Sequence, residues 1–299
     1  MVKFLSHFVN QLRSKRFVKQ VEEKVSEKDF WKYFFVALGT ISSVVTLVSF
    51  VFQLVQPHWA VVLIYILLVL GLSVAFGLWQ TYRKTSLSIA VSNNLKVSVQ
   101  PGDLFSFAKD SNYVVIPVNE FFDTVVDESI INSGSIHGQF INRYYQDDHS
   151  RLHEEIEDYF SEHSITGEEA ERPQSKGYTK KYPLGTCAII EKENVRFVLM
   201  AFTHFNNNDI AFVELSELGL CVSKMLRYLS NQVGTSPVYM PLMGMGLSRL
   251  NQPAQFILKY TLDTIVGIGG LAQLGGVNII VYPPIAKTIN LNEISYPKV

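Results

Sequence analysis

Residues 114–124 read VVIPVNEFFDT, an apolar run that ends in a polar turn. A β-branched run bounded by turn-forming residues is typical of a buried strand. Similar runs recur after Ser86 and alternate with amphipathic stretches at helical spacing, a rhythm that predicts an α/β fold. The predicted strands are Leu95–Val99, Tyr113–Val118, Cys187–Glu191, Val195–Thr203, Pro237–Pro241 and Val277–Tyr282. The predicted helices are Ile136–Tyr145, Ile210–Gln232 and Pro253–Leu274.

Three segments join predicted strands to predicted helices. They are residues 114–124, residues 132–140 (NSGSIHGQF) and residues 239–250 (YMPLMGMGLSRL). The second and third contain small residues, which let backbone N–H groups approach an anion. These junctions predict a cradle for a phosphate group.

The charge balance limits which groups of the protein can stabilise a phosphate in such a cradle. The 299 residues carry 26 Lys and Arg against 27 Asp and Glu, which argues against a nucleic-acid binder that works by bulk positive charge. Basic residues concentrate before residue 85, so the remainder of the chain is acidic. A polyphosphate would therefore have to be stabilised by fixed N–H dipoles and not by summed charge.

A fourth segment adds to the three junctions described above. Residues 100–105 read QPGDLF and follow the first predicted strand. Together with the three junctions, and in the same order, this segment resembles the macro domain, an α/β/α module that binds ADP-ribose. The resemblance covers a predicted domain at residues 95–290, a three-layer α/β/α fold interrupted by an acidic insertion at about residues 146–181.

The resemblance implies a set of ligand contacts. Asp103 would accept from the adenine amino group, the Leu104 N–H would meet the adenine edge, and Asn119 would lie by the distal ribose. One side of the diphosphate would be wrapped by Ser133, Gly134, Ser135, Ile136, His137 and Gly138. The other side would be held by Gly244, Met245, Gly246, Leu247, Ser248 and Arg249.

One departure from the family pattern concerns catalysis. Hydrolytic macro domains carry a second Asn at the end of the first junction, and here Phe122 occupies that place. We therefore predict a binding module without catalytic residues, in which Phe122 implies a dry pocket. Asp123 is included in the predicted site and could act as a base, so a membrane-tethered ADP-ribosyl hydrolase is the alternative.

For three of the predicted site residues, a structural role without ligand contact is the alternative. Asn119 and Asp103 could serve as turn or helix caps, and His137 could be a loop residue facing solvent. His149 and His153 have a spacing compatible with a metal, but an exposed charged helix followed by a loop explains them better. We predict neither a metal nor a cofactor.

Two apolar runs precede the α/β region. Residues 33–55 and 59–79 contain no Asp, Glu, Lys or Arg, and only Gln56, Pro57 and His58 separate them. They predict a transmembrane helical hairpin within residues 33–82. Residues 1–32 form a basic amphipathic segment, and because the turn lacks Lys and Arg, both termini and the α/β domain are predicted to be cytoplasmic.

As an architecture, a macro domain behind a two-helix hairpin resembles the transmembrane macro effectors of the type II Thoeris anti-phage system. The resemblance implies a multi-pass protein of the bacterial inner membrane. Its ligand would be a nucleotide signal made by a TIR-domain enzyme, a histidine conjugate of ADP-ribose. Its partners would also include the lipid bilayer and further copies of itself, which would gather and disrupt the membrane to abort infection.

Overall fold

The computed structural model describes residues 25, 28–51, 59–81, 84–91, 95–146, 148–172, 177–206, 210–232, 234–246, 248–271 and 274–296. The chain divides into two compact units, residues 1–83 and residues 84–299. Most of the predicted basic segment 1–32, the predicted turn 56–58 and Leu247 lie outside the described residues. Predictions that concern them stay predictions.

In its described part, the first unit contains two helices, α1 (Lys28–Val51) and α2 (Trp59–Thr81). They pack closely where the Phe30 ring covers Gly77, because a Cβ at Gly77 would lie only 2.8 Å from that ring. Among the described residues, no helix combines the length and apolar content needed to cross a membrane. The hairpin of residues 33–55 and 59–79 therefore stays a prediction as a membrane span.

The second unit is built on a mixed sheet. Its strands follow the order β1 (Leu87–Ala90), β2 (Lys96–Pro101), β10 (Val277–Val281), β9 (Val238–Pro241), β3 (Tyr113–Asn119), β7 (Val195–Phe205) and β6 (Cys187–Lys192). Strands β2, β10, β9, β3 and β7 are parallel neighbours, and β1 and β6 are antiparallel edges. A short strand, β8 (Ala211–Phe212), pairs with the end of β7.

The central strands are buried on both faces. Consecutive residues of β3 from Tyr113 to Ile116 and of β7 from Phe197 to Phe202 are all buried, which requires a cover on each side of the sheet. The covering helices are α3 (Ile136–Tyr144), α4 (His149–Glu162), α5 (Leu215–Gln232) and α6 (Ala254–Gly267). The last described elements are the short helix α7 (Pro283–Ala286) and a 3₁₀ turn, Leu291–Glu293. The predicted α/β domain with helices covering both faces of its sheet is confirmed.

Two predicted helices have different limits in the structure. The helix predicted to start at Ile210 starts at Leu215, because Ala211 and Phe212 pair with β7 instead. The helix predicted to reach Leu274 ends at Gly267. Periodicity alone could not separate these flanking residues from the helices beside them.

The acidic insertion is more ordered than its composition suggested. Helix α4 was predicted to be exposed, yet Leu152, Ile156 and Phe160 are buried along one of its faces. The loop was predicted at residues 167–177, and in the structure β4 (Glu168–Glu169), at its start, pairs with β5 (Lys180–Lys181), which follows it. These three apolar residues, spaced four apart, form one face of α4. This face packs the insertion onto the domain although the surrounding residues are charged.

Candidate functional site

A cleft of about 920 Å³ opens at the carboxyl ends of the parallel strands. It is lined by residues that follow β2, β3, β9 and β10, together with the start of α3. Of the predicted site residues, the cleft brings together Asp103, Leu104, Asn119, Gly134, Ser135, Ile136, His137, Gly244, Met245, Gly246 and Ser248. Asp123, Ser133, Gly138 and Arg249 do not line it.

The loop before α3 presents two unused N–H groups to the cleft. Within this loop, Ser135 accepts a hydrogen bond from Gly138 N at 2.9 Å and caps the helix. The N–H groups of Ser133 and Gly134 are bonded to Glu128 and Asn132. Only those of Ile136 and His137 have no acceptor among the described residues of this loop, because they begin the helix.

The glycine at position 138 is required by close packing. A Cβ there would lie 2.3 Å from the Asn132 carbonyl oxygen, which no side chain could tolerate. Gly138 thus shapes the loop from behind and does not itself face the cleft. The small residues of this loop therefore have two different roles. Gly134 and Ser135 line the cleft, whereas Gly138 packs against the backbone of its own loop.

The opposite side of the cleft is formed by the loop after β9. Gly244 has a φ of 87°, a conformation that favours glycine, whereas Gly246 has open space around its Cα. Ser248 is buried and its hydroxyl has no hydrogen-bond partner in the described part of the chain. This loop therefore offers the cleft an uncrowded backbone at Gly246 and one unsatisfied hydroxyl group.

The segment after β3 uses its polar groups in its own turn. Asn119 Oδ1 accepts from Phe121 N at 3.0 Å and from Asp123 N at 3.3 Å. The capping role left open for Asn119 is therefore real, and the residue also lines the cleft. Phe122 has a φ of 51° and packs edge-on against Phe160 and Tyr182, away from the cleft. The dry pocket predicted from Phe122 is thus wrong, because this ring belongs to the core.

Asp123 is held in a buried ion pair. Its Oδ2 lies 3.0 Å from Arg172 Nη1, and its Oδ1 accepts from Tyr178 N at 2.7 Å. Burial raises the pKa of Asp123, although the positive charge of Arg172 opposes this. The carboxylate is therefore occupied in tying the acidic insertion to the domain.

The comparison with known proteins agrees with this geometry. The family described as "Thoeris protein ThsA, Macro domain" matches residues 97–269. The Thoeris protein ThsA of Bacillus amyloliquefaciens (strain Y2) is 30% identical over 236 residues, which cover 78% of this chain and 76% of that protein.

The chain belongs to the ThsA macro-domain family.

Solved macrodomains are more distant. A mutant Oceanobacillus iheyensis macrodomain with ADPR has a TM-score of 0.46 at 12% identity, covering 68% of this chain and 94% of that one. The Trypanosoma brucei macrodomain in complex with ADP-ribose has a TM-score of 0.38 at 11% identity, covering 67% and 72%.

One end of the cleft in this macro domain is formed after β2. Asp103 accepts from Phe105 N at 3.2 Å and caps the 3₁₀ helix Leu104–Phe107, which is the second capping role left open by the sequence. The Arg143 guanidinium lies 4.2 Å from the centroid of the Phe105 ring and 3.8 Å from Asp103 Oδ2. This end therefore combines an aromatic ring, a carboxylate and a guanidinium group.

Several residues that line the cleft were not predicted. Arg143 belongs to α3 and reaches back to this end of the cleft, and Tyr282 follows β10 and is exposed beside it. Thr203, Phe205 and Ala211 line it from β7 and β8. Tyr282 could have been found, since it ends a predicted strand whose carboxyl end faces the cleft. Strand β8 has only two residues and no detectable pattern.

His137 is buried in the wall of the cleft, so the solvent-facing role left open for it is wrong. It is 6% exposed, and no described residue forms a hydrogen bond with its ring. Burial lowers the pKa of His137 to about 3. The ring is therefore neutral near pH 7 and can both donate and accept.

We expect His137 to reduce stability in acid. Its folded pKa of about 3 lies below the unfolded value of 6.5, so the unfolded chain takes up a proton that the folded chain refuses as the pH falls between these values. Stability should fall by up to about 1.4 kcal/mol per pH unit in that window. His137→Asn should lessen the slope of the unfolding midpoint against pH, measured by calorimetry. His163→Asn, at an exposed position, should keep the wild-type slope, and equal slopes for all three proteins would contradict this account.

Proposed function

We propose that this chain is a membrane-anchored sensor and effector whose macro domain binds an ADP-ribose-type nucleotide. The observation that carries the proposal is the pair of unused N–H groups, of Ile136 and His137, facing a cleft whose opposite side is the Gly244–Gly246 loop. A diphosphate between these two loops would accept from backbone donors at a helix N-terminus.

The electrostatics of the lining favour this mode of binding. Among the described residues that line the cleft, Arg143 is the only Lys or Arg and Asp103 the only Asp or Glu. His137 is neutral near pH 7. The lining therefore has no excess positive charge, and an anion would depend on oriented N–H groups.

A sensor fits the site better than a hydrolase. A hydrolase needs a group near the distal ribose that can activate water. Beyond Asn119, Phe122 is packed in the core and Asp123 is paired with Arg172. A membrane-tethered ADP-ribosyl hydrolase remains the alternative candidate, and it would have to use other residues.

The effector half of the proposal rests on the first unit. Helix α2 has no charged residue, and its Ile64 and Leu67 side chains are more than half exposed, as are those of Phe35 and Val36 of α1. Apolar side chains on the outer face of a helix pair suit contact with lipid. We propose an inner-membrane hairpin with both termini cytoplasmic, which oligomerises when a histidine conjugate of ADP-ribose, made by a TIR-domain enzyme during phage infection, occupies the cleft.

The first expected result is binding without turnover. Full-length protein in detergent should release heat on titration with ADP-ribose and with its histidine conjugate, and chromatography should recover both ligands unchanged. ADP and AMP, which lack the distal ribose, should bind more weakly because they forgo its contacts. Conversion of either ligand would favour the hydrolase, and absence of any binding would refute the proposed ligand class.

The second expected result is ligand-dependent leakage. Full-length protein in liposomes of phosphatidylethanolamine and phosphatidylglycerol should release a trapped dye when the histidine conjugate is added on the side of the macro domain. The ligand can drive assembly only if it binds the assembled state more tightly than the resting state. AMP should cause no release. Equal release with and without the conjugate would show that the membrane step is not controlled by this ligand.

A further inference from the structure

A buried charged cluster lies behind one wall of the cleft. Glu120 is 1% exposed, and its Oε2 lies 2.5 Å from His204 Nδ1 and 3.2 Å from Lys181 Nζ. Its other oxygen accepts from Phe205 N at 3.2 Å. The second ring nitrogen of His204 lies 2.7 Å from Glu217 Oε1. The imidazole therefore bridges two carboxylates from different elements, the turn after β3 and the first turn of α5.

This bridge defines the protonation state of the ring. Burial opposes a charge on His204, but hydrogen bonds to Glu120 and Glu217 and the charges of these groups outweigh it and raise the pKa of His204. Both ring nitrogens can donate only when the ring is an imidazolium. Among the described residues, Lys181 also contacts Glu120, and the Phe212 ring lies 5.5 Å from the His204 ring.

The wall of the cleft is made by the residues on either side of His204. Thr203 and Phe205 line the cleft, and so does Ala211, which pairs with Phe205. His204 itself does not line the cleft, whereas Phe202, Thr203 and Phe205 do. The cluster thus holds the wall from behind without touching the ligand space.

We propose that His204 is a positioning residue that fixes the ends of β7 and β8 as a wall of the cleft by bridging Glu120 and Glu217. When the ring loses its proton, one of the two bridges is lost and the wall loosens. A ligand that extends to this wall then binds less tightly. This last step rests on the proposed function, whereas the loosening of the wall does not.

The direction of the pH effect follows from the raised pKa. The bridge contributes its full stabilisation below the unfolded value of 6.5 and loses it as the pH rises through the higher folded value. The wall should therefore be firm in mild acid and should loosen in alkaline solution. His137 cannot produce this change, because it stays neutral throughout that range.

Hydrogen exchange of the full-length protein tests the wall without a ligand. After correction for the intrinsic rate, exchange of the Phe205 amide, which donates to Glu120, should accelerate about tenfold in His204→Gln, as expected when a charged hydrogen bond is lost. In the wild type, the same acceleration should develop as the pH rises above 6.5 and passes through the raised pKa of His204. His163→Gln is the matched control, since that ring is exposed and bonds the carbonyl of Tyr159 at the end of α4.

Titration with two probes then tests the effect on binding. ADP-ribose reaches beyond the diphosphate, whereas ADP stops at it. His204→Gln should weaken ADP-ribose binding by about tenfold, the equivalent of about 1.4 kcal/mol, and should change ADP binding less than about twofold. Equal losses for both probes would indicate general damage to the fold and would overturn the proposal.

The outcomes separate this proposal from the proposed function. Unchanged exchange at Phe205 in His204→Gln would overturn it, and so would faster exchange with unchanged affinity for ADP-ribose. If wild-type protein binds neither probe, the proposed function fails, and the exchange data still decide whether His204 holds the wall. Should His204→Gln not fold, Glu217→Gln, which weakens one bridge only, replaces it in each comparison.

Discussion

Replacing Gly246 with Glu should weaken the binding of ADP-ribose at least about tenfold and leave the fold intact. Gly246 lines the cleft, and a Cβ at this position would meet no atom within 4 Å, so a longer side chain has room. The new carboxylate would lie within a few ångströms of the diphosphate and cost roughly 1–4 kcal/mol by repulsion. Calorimetric titration of the full-length variant measures the loss.

Two matched variants separate charge from bulk and from general effects. Gly246→Gln has nearly the same shape without the charge, so it should lose much less affinity. Gly269→Glu adds the same charge at another glycine with open space around it, outside the cleft, and should bind as the wild type does. If Gly246→Glu keeps wild-type affinity, the loop after β9 does not hold the diphosphate.

Much of the cleft could be predicted from the sequence because its loops directly follow the strands that position them. Strand β3 and the middle of β7 contain runs of consecutive apolar residues, and each loop follows the strand that positions it. Since parallel strands bring their carboxyl ends to one edge, Asp103, Asn119 and Gly244 had to lie near one another once the strands were identified. The helix start at Ile136 was equally readable from the Ser135 cap.

Side-chain direction within a loop could not be predicted in the same way. Phe122 occupies the motif position of a ligand-binding Asn, yet its positive φ turns the ring into the core. Gly138 has the motif position of a diphosphate contact, but it supports the loop from behind. A motif aligns positions along the chain, whereas burial by distant side chains decides which way each position faces.

Pairs of charged side chains from distant segments also could not be predicted from the sequence. Asp123 and Arg172 are 49 residues apart, and the acidic insertion was expected to be mostly exposed. Arg172 stands among many acidic residues, and the sequence around it does not indicate its partner. The same holds for His204 and Glu120, which are 84 residues apart and meet only because β3 and β7 are neighbours.

Breaking the Asp123–Arg172 pair should cause the largest loss of stability. Both side chains are at most 5% exposed, and the guanidinium also stacks on Phe121 at 4.1 Å. Arg172→Met leaves the carboxylate buried without its counter-ion, which costs about 3–5 kcal/mol in such sites. For a domain of this size, the unfolding midpoint should fall by roughly 6–20 °C, measured by scanning calorimetry of the full-length protein.

The pH dependence of that loss identifies its cause. Burial already raises the pKa of Asp123, and removing Arg172 raises it further, so the folded variant binds a proton that the unfolded chain releases above 3.8. The stability deficit should therefore shrink as the pH falls from about 7 to about 5, because protonation removes the unpaired charge. Arg151→Met breaks an exposed pair with Glu155 and should cost less than about 1 kcal/mol at either pH. A deficit for Arg172→Met that matches this control, or that does not change with pH, would mean that the buried charge is not what holds the insertion to the macro domain.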